Sequence, residues 1–185
     1  MPLPEPQART LRHSRRIQLD GYEREDGLWD IEARLVDTKG YDFDNQFRGT
    51  IPSGEPLHDI WMRITVDDTL TIREVAASID SHPFPPCPGA ATAFQQLVGM
   101  RIASGWTEQA KEQIGQVAGC THLFELLRPL ATTAIQTIAP IRRPVGSGDA
   151  PPKYIVDTCR GWAADSVTIR TLYPGWRRDT ADDDA

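Results

Sequence analysis

The sequence predicts an α+β fold, a mainly antiparallel sheet packed against a few helices. Period-two alternation of apolar and polar residues dominates the first half of the chain, and helical spacing takes over from Ala90. Tight turns, not helical crossovers, join the expected strands, which favours antiparallel pairing. Ile17 and Leu19, then Leu28 to Val36, make the first two strands. Trp29, Ile31, Ala33 and Leu35 share one face, with Asp30, Glu32 and Arg34 opposite. Asp20-Gly21 and Asp26-Gly27 read as turns between them. Tyr41 to Pro56 is rich in Gly, Asp, Asn and Pro and reads as a long loop. Ile60, Met62, Ile64 and Val66 then alternate with Trp61, Arg63 and Thr65, and Asp67-Asp68 turns the chain into a hairpin partner from Leu70 to Val75.

Ser81 to Pro88 holds four prolines around Cys87, too many for a helix or a central strand. Phe94, Leu97, Val98 and Ile102 follow helical spacing, and Thr107 to Ile114 predicts a short helix closed by Gly115. The broadest apolar stripe belongs to a third helix, from about His122 to Ile138. Leu123, Leu126, Leu127, Leu130, Ala134 and Ile138 lie on its buried face, and Pro129 is expected to kink its first turns. Arg142 to Pro152 reads as a Pro/Gly linker, and Val167, Ile169 and Thr171 as a last strand. One domain is expected over 12–176, between a flexible extension at 1–11 and an acidic disordered tail at 177–185.

At 185 residues, 39% hydrophobic and 25% charged, the chain has a globular balance. Its net charge of −6 argues against nucleic acid as a partner. Arg12, Arg15 and Arg16 form a local basic run that reads as a solvated arm, with a phosphate or carboxylate contact as the minority reading. No apolar run is long enough for a bilayer, and no charged-then-apolar leader opens the sequence. Three widely spaced cysteines do not make a disulfide framework, so a cytoplasmic protein with reduced thiols is expected. The expected partner is a small-molecule substrate, with no nucleic acid and no membrane, and a homodimer is left open.

The candidate chemistry lies at the ends of these elements. Cys120 and His122, in Gly119-Cys120-Thr121-His122-Leu123, stand at the mouth of the third helix, where free backbone N–H groups and the dipole favour a thiolate. Two residues apart, their side chains diverge in a regular helix and converge only if the helix starts at or after Thr121. Cys120 also continues the apolar stripe, and a buried structural cysteine is the plain alternative. Cys87 precedes the first helix in the same way. His58 and Asp59 open a strand and point to opposite faces, His58 to the apolar face and Asp59 to that of Trp61 and Arg63. Their plain alternatives are a core histidine and a strand-end ion pair. His13, His82 and Cys159 show no pattern. Trp106, Trp162 and Trp176 sit beside glycines, where aromatic walls would suit a flat ligand.

Four segments, Leu57-His58-Asp59-Ile60-Trp61-Met62-Arg63, Leu97-Val98-Gly99-Met100-Arg101, Gly105-Trp106 and Gly119 to Leu123, resemble a bacterial family catalogued as domain of unknown function 2889. The resemblance runs from roughly Arg12 to Trp176 and implies no activity. More distantly, the order of strands, Cys turn, helices and Cys at the next helix is similar to the iron–sulfur cluster scaffold fold. That likeness implies a scaffold-like α+β fold and a shared site in which Asp59, Cys87 and Cys120 match scaffold ligands. Leu57 stands where the scaffold family has a further cysteine, which leaves too few thiolates for a two-iron cluster and suits a single ion.

Two functions follow as expectations. The first is a small-molecule enzyme, a lyase or hydrolase acting on a small, aromatic catabolic metabolite. Its catalytic residues would be Cys120, His122, His58 and Asp59, and zinc or iron would be held by Cys87, Cys120 and His58 or Asp59. An ionised Cys or His acting as a base without metal is a variant. The alternative is a non-catalytic carrier of metal or of iron–sulfur clusters on the same ligands.

Overall fold

Alternation along Trp29–Lys39 settles the sheet: Trp29, Ile31, Ala33 and Leu35 are fully buried while the residues between them keep partial access to solvent. This strand, β2, lies between β1 (His13–Glu23) and β5 (Pro56–Val66), and β6 (Ile72–Ser81) closes the sheet. The order is β1-β2-β5-β6, antiparallel throughout. The structure, a computed structural model, describes residues 3–178. These fall into two compact units, divided between Ile138 and Ala139.

In the first unit residues 3–12 are exposed and carry no helix or strand. The inner face of the sheet supplies Ile60, Met62 and Ile64 from β5 and Val75 and Ile79 from β6. Against it pack Leu123, Leu126, Leu127 and Leu130 of α2 (Thr121–Arg142), Ala110 and Ile114 of α1 (Trp106–Ile114), and Phe94 and Leu97 of a 3₁₀ helix (Cys87–Leu97). Asp67 ties the β5–β6 turn by accepting the backbone N–H groups of Thr69 and Thr71. Among the described residues no helix is long and apolar enough to cross a membrane.

Several expectations need correction. Asp20-Gly21 is not a turn: β1 runs through it from His13 to Glu23, paired with β2 over its whole length. Gly21 is there because α2 passes close by, and a Cβ at that position would overlap the Thr137 hydroxyl. The basic run is not a solvated arm throughout, since Arg15 and Arg16 are strand residues. The loop at Tyr41–Pro56 contains a small hairpin, β3 (Phe43–Asn45) with β4 (Gly49–Ile51). The helix expected through Ile102 is the 3₁₀ helix ending at Leu97. Val98 is extended and Gly99, at φ 89°, turns the chain away. α2 continues as helix past Pro129 to Arg142.

The second unit holds the Pro/Gly stretch and α3 (Val167–Leu172), where a strand was expected. β-branched residues mislead here. Ser166 caps the segment by accepting the Ile169 N–H at 3.2 Å, and Ile169 and Tyr173, four residues apart, are both buried. The acidic-tail reading lies, from residue 179 onward, outside the described residues.

Leu127 is fully buried at the centre of the α2 stripe. Leu127→Ala is expected to cost about 2–5 kcal/mol through the cavity it leaves, read as a fall in denaturation midpoint. An unchanged midpoint would contradict this packing.

Candidate metal centre

The inner face of the sheet changes character at one end. Arg15 on β1, Asp37 on β2 and His58 on β5 are direct cross-strand partners and so form a row across three strands. Asp37 sits two residues beyond Leu35, on the core face, with 1% of its side chain exposed. A lone carboxylate buried this way would cost several kcal/mol. Arg15 offsets that cost with a fork, Nε donating to Oδ1 and Nη2 to Oδ2, both at 2.8 Å. His58 Nδ1 lies 3.1 Å from Oδ2 and His13 Nε2 lies 3.3 Å from Oδ1. Pairing of β2 with β5 slips directly after this row, Thr38 facing Pro56, so Leu57 bulges beside His58.

The first turn of α2 closes the row from above. His122 lies against His58 with ring centroids 3.9 Å apart and planes tilted by 37°, and its Nε2 lies 3.8 Å from Asp37 Oδ2. Glu125, three residues on and so on the same helical face, accepts from Arg15 Nη1. Cys120 Sγ lies 3.9 Å from the other His122 nitrogen, Nδ1.

Electrostatics follow from this enclosure. Burial, reinforced by the neighbouring His122 and only partly opposed by Asp37, pushes the His58 pKa down to about 4. Burial and the Arg15 charge lower that of His122 as well. Burial acts to raise the Asp37 carboxyl, but the Arg15 fork and charge outweigh it and hold the group below the usual carboxylate range. At neutral pH two uncharged imidazoles therefore stand beside an ionised carboxylate, His58 donating its Nδ1–H to Asp37 Oδ2, and a cation bound there would take the place of that proton, which moves to Nε2. One guanidinium faces two carboxylates, Asp37 and Glu125, so the cluster is left with negative charge.

That is a donor set for a divalent cation. One atom each from Asp37, His58 and His122 lies within 4.8 Å of the others. Around a tetrahedral zinc with ligands at 2.0–2.1 Å, donor atoms stand about 3.3 Å apart. The separations of 3.1 and 3.8 Å from Asp37 Oδ2 bracket that value.

Residues 13–136 match the family described as Protein of unknown function (DUF2889). The chain belongs to the DUF2889 family. The matched span takes in Arg15, Asp37, His58, Cys120, His122 and Glu125. No curated protein and no solved structure matches the chain.

In this DUF2889 protein two of the residues singled out from sequence, His58 and His122, join the centre, and Cys120 adjoins it. Asp59 does not. It faces the other side of the sheet, where Arg34 donates to it at 2.9 and 2.7 Å and stacks over Trp61 at 4.6 Å. Cys87 is half-buried against the hydrophobic core and lies outside the donor group. Cys159 is exposed in the second unit. Trp29 and Trp106 are core residues, and Trp162 and Trp176 belong to the second unit.

Sequence reasoning passed over Asp37 and Glu125, set His13 aside as patternless, and gave Arg15 a carboxylate contact only as the minority reading. The signal for Asp37 was present, because the inward alternation of β2, carried two residues past Leu35, lands on an acid. Arg15 was hidden in a basic run, and His13 and Glu125 carry no local pattern.

The depressed His58 pKa sets a pH dependence. The unfolded chain takes up this proton near pH 6.5, and the folded chain resists it down to about 4. Stability is therefore whole above about pH 6.5 and falls as pH drops from there toward 4. In metal-free protein protonation of His58 is expected to lower the melting temperature progressively over that window. His58→Gln should flatten the slope of melting temperature against pH; an identical slope in the variant would refute the assignment.

Proposed function

We propose that this DUF2889 protein is a metal-dependent enzyme, a lyase or hydrolase acting on a small catabolic metabolite, with zinc or iron(II) held by Asp37, His58 and His122. The observation that carries the reading is the convergence of two uncharged imidazoles on one buried carboxylate. Two histidines and one carboxylate are a donor set typical of catalytic zinc and of non-haem iron, because three protein ligands leave coordination positions open. Bound there, such an ion would polarise a substrate carbonyl or acidify a water. Arg15, which donates to both oxygens, and His13 beside Oδ1 keep Asp37 ionised, so this carboxylate remains a ligand at neutral pH.

An aromatic substrate gains support from Phe47 and Phe84. Both are exposed, meet edge-to-face at 6.1 Å, and lie at the same end of the sheet as the metal centre. Arg48 fixes that corner by donating to the carbonyls of Pro56, Leu57 and His82. A cluster carrier is supported less well, because thiolates are the ligands it needs and, among the described residues, Cys120 alone adjoins the donors.

The test is to strip the protein with a chelator and titrate it with zinc, or anaerobically with iron(II). Wild type is expected to bind one equivalent. His58→Ala and His122→Ala should lose more than the roughly 10–100-fold in affinity that removal of an outer partner costs. Activity against a panel of small aromatic esters and β-hydroxy carbonyl compounds should return only with the ion. Failure of wild type to bind, or binding untouched by both substitutions, would refute the proposal.

A further inference from the structure

Resting on that ligand set, we infer that Cys120 is a positioning residue for the metal centre: its sulfur accepts the Nδ1–H of His122 and holds that ring with Nε2 toward Asp37. The geometry is specific to the helix start. α2 begins at Thr121, and Phe124 N–H donates to the Cys120 carbonyl at 2.9 Å, so Cys120 is the N-cap residue. Its backbone lies outside the helix, and for this reason a side chain two residues from His122 meets it instead of diverging. Sγ stands 3.9 Å from Nδ1, within reach for a sulfur acceptor, on the side of the ring away from Asp37.

An imidazole that gives the Nε2 lone pair to a cation must carry its proton on Nδ1, and that N–H needs an acceptor. Among the described residues Cys120 is the side chain seen at that nitrogen. A flipped ring would present carbon to both the cysteine and the carboxylate. The tilted contact with His58 at 3.9 Å limits the ring's position but not which edge faces Asp37, and the sulfur distinguishes the two edges. Cys120 therefore serves the centre from its outer side, and the expectation that it is itself a ligand is replaced.

Cobalt(II) serves as the probe, because a thiolate ligand gives it intense charge-transfer absorption in the near ultraviolet and an outer-shell thiol does not. Wild type is expected to bind cobalt without that band. Cys120→Ala should bind about 10–100-fold more weakly, and Cys120→Ser should recover most of the loss, since a hydroxyl oxygen can accept the same proton. Serine is also a favoured N-cap, so the rescue variant keeps the helix start, and thermal unfolding of both variants confirms the fold. Thiolate charge transfer in wild type, Cys120→Ala affinity equal to wild type, or Cys120→Ser no better than Cys120→Ala would each overturn the inference while leaving a cation site at Asp37, His58 and His122. Absence of cobalt uptake by wild type would overturn that site and this inference together.

Discussion

The ion pair between Arg15 and Asp37 is the interaction on which the rest of the centre depends. A carboxylate with 1% of its side chain exposed survives ionised only because a guanidinium meets both its oxygens. The pair ties edge strand β1 to β2 at the end of the sheet where β1 begins. It also fixes the one anion toward which His13, His58 and His122 turn. Removing Arg15 would leave the buried Asp37 charge uncompensated at a cost of about 3–5 kcal/mol, whereas Arg15, a third exposed and also paired with Glu125, tolerates the loss of Asp37 better.

Position is supplied by the rest of the fold. The sheet presents Arg15, Asp37 and His58 as one cross-strand row because its register places them opposite one another. The helix adds His122 and Glu125 from a first turn held in place by a stripe of buried leucines further along. Core and centre are thus linked mechanically. Packing of Leu123, Leu126 and Leu127 sets how closely the imidazole of His122 approaches the carboxylate, and the near passage of Thr137 over Gly21 sets the approach of α2 to β1.

Much of this is legible in the sequence because it follows from periodicity. Alternation along Trp29 to Leu35 and Ile60 to Val66 identifies two strands and their buried faces, and the leucine spacing identifies α2. The placement of His58 on the apolar face and Asp59 on the opposite one follows from the same alternation. The condition for Cys120 to meet His122, a helix starting at Thr121, is a geometric consequence of the sequence spacing. Partnership across strands is not legible. Arg15, Asp37 and His58 are distant in sequence, and only the register of two strand pairs makes them neighbours. Cys87 misled for a related reason: its place before a helix is local, whereas convergence on a site is not. α3 misled because Val167, Thr168 and Ile169 favour strand locally, and the Ser166 cap outweighs that preference.

The most direct measurement is a crystal structure of the zinc-soaked protein with anomalous differences collected at the zinc edge. The account predicts one peak bounded by Asp37 Oδ2, His58 Nδ1 and His122 Nε2, about 2.0–2.1 Å from each, with Cys120 Sγ facing His122 Nδ1 outside the coordination sphere. A peak bonded to Cys87 or Cys120, with none beside Asp37, would contradict it.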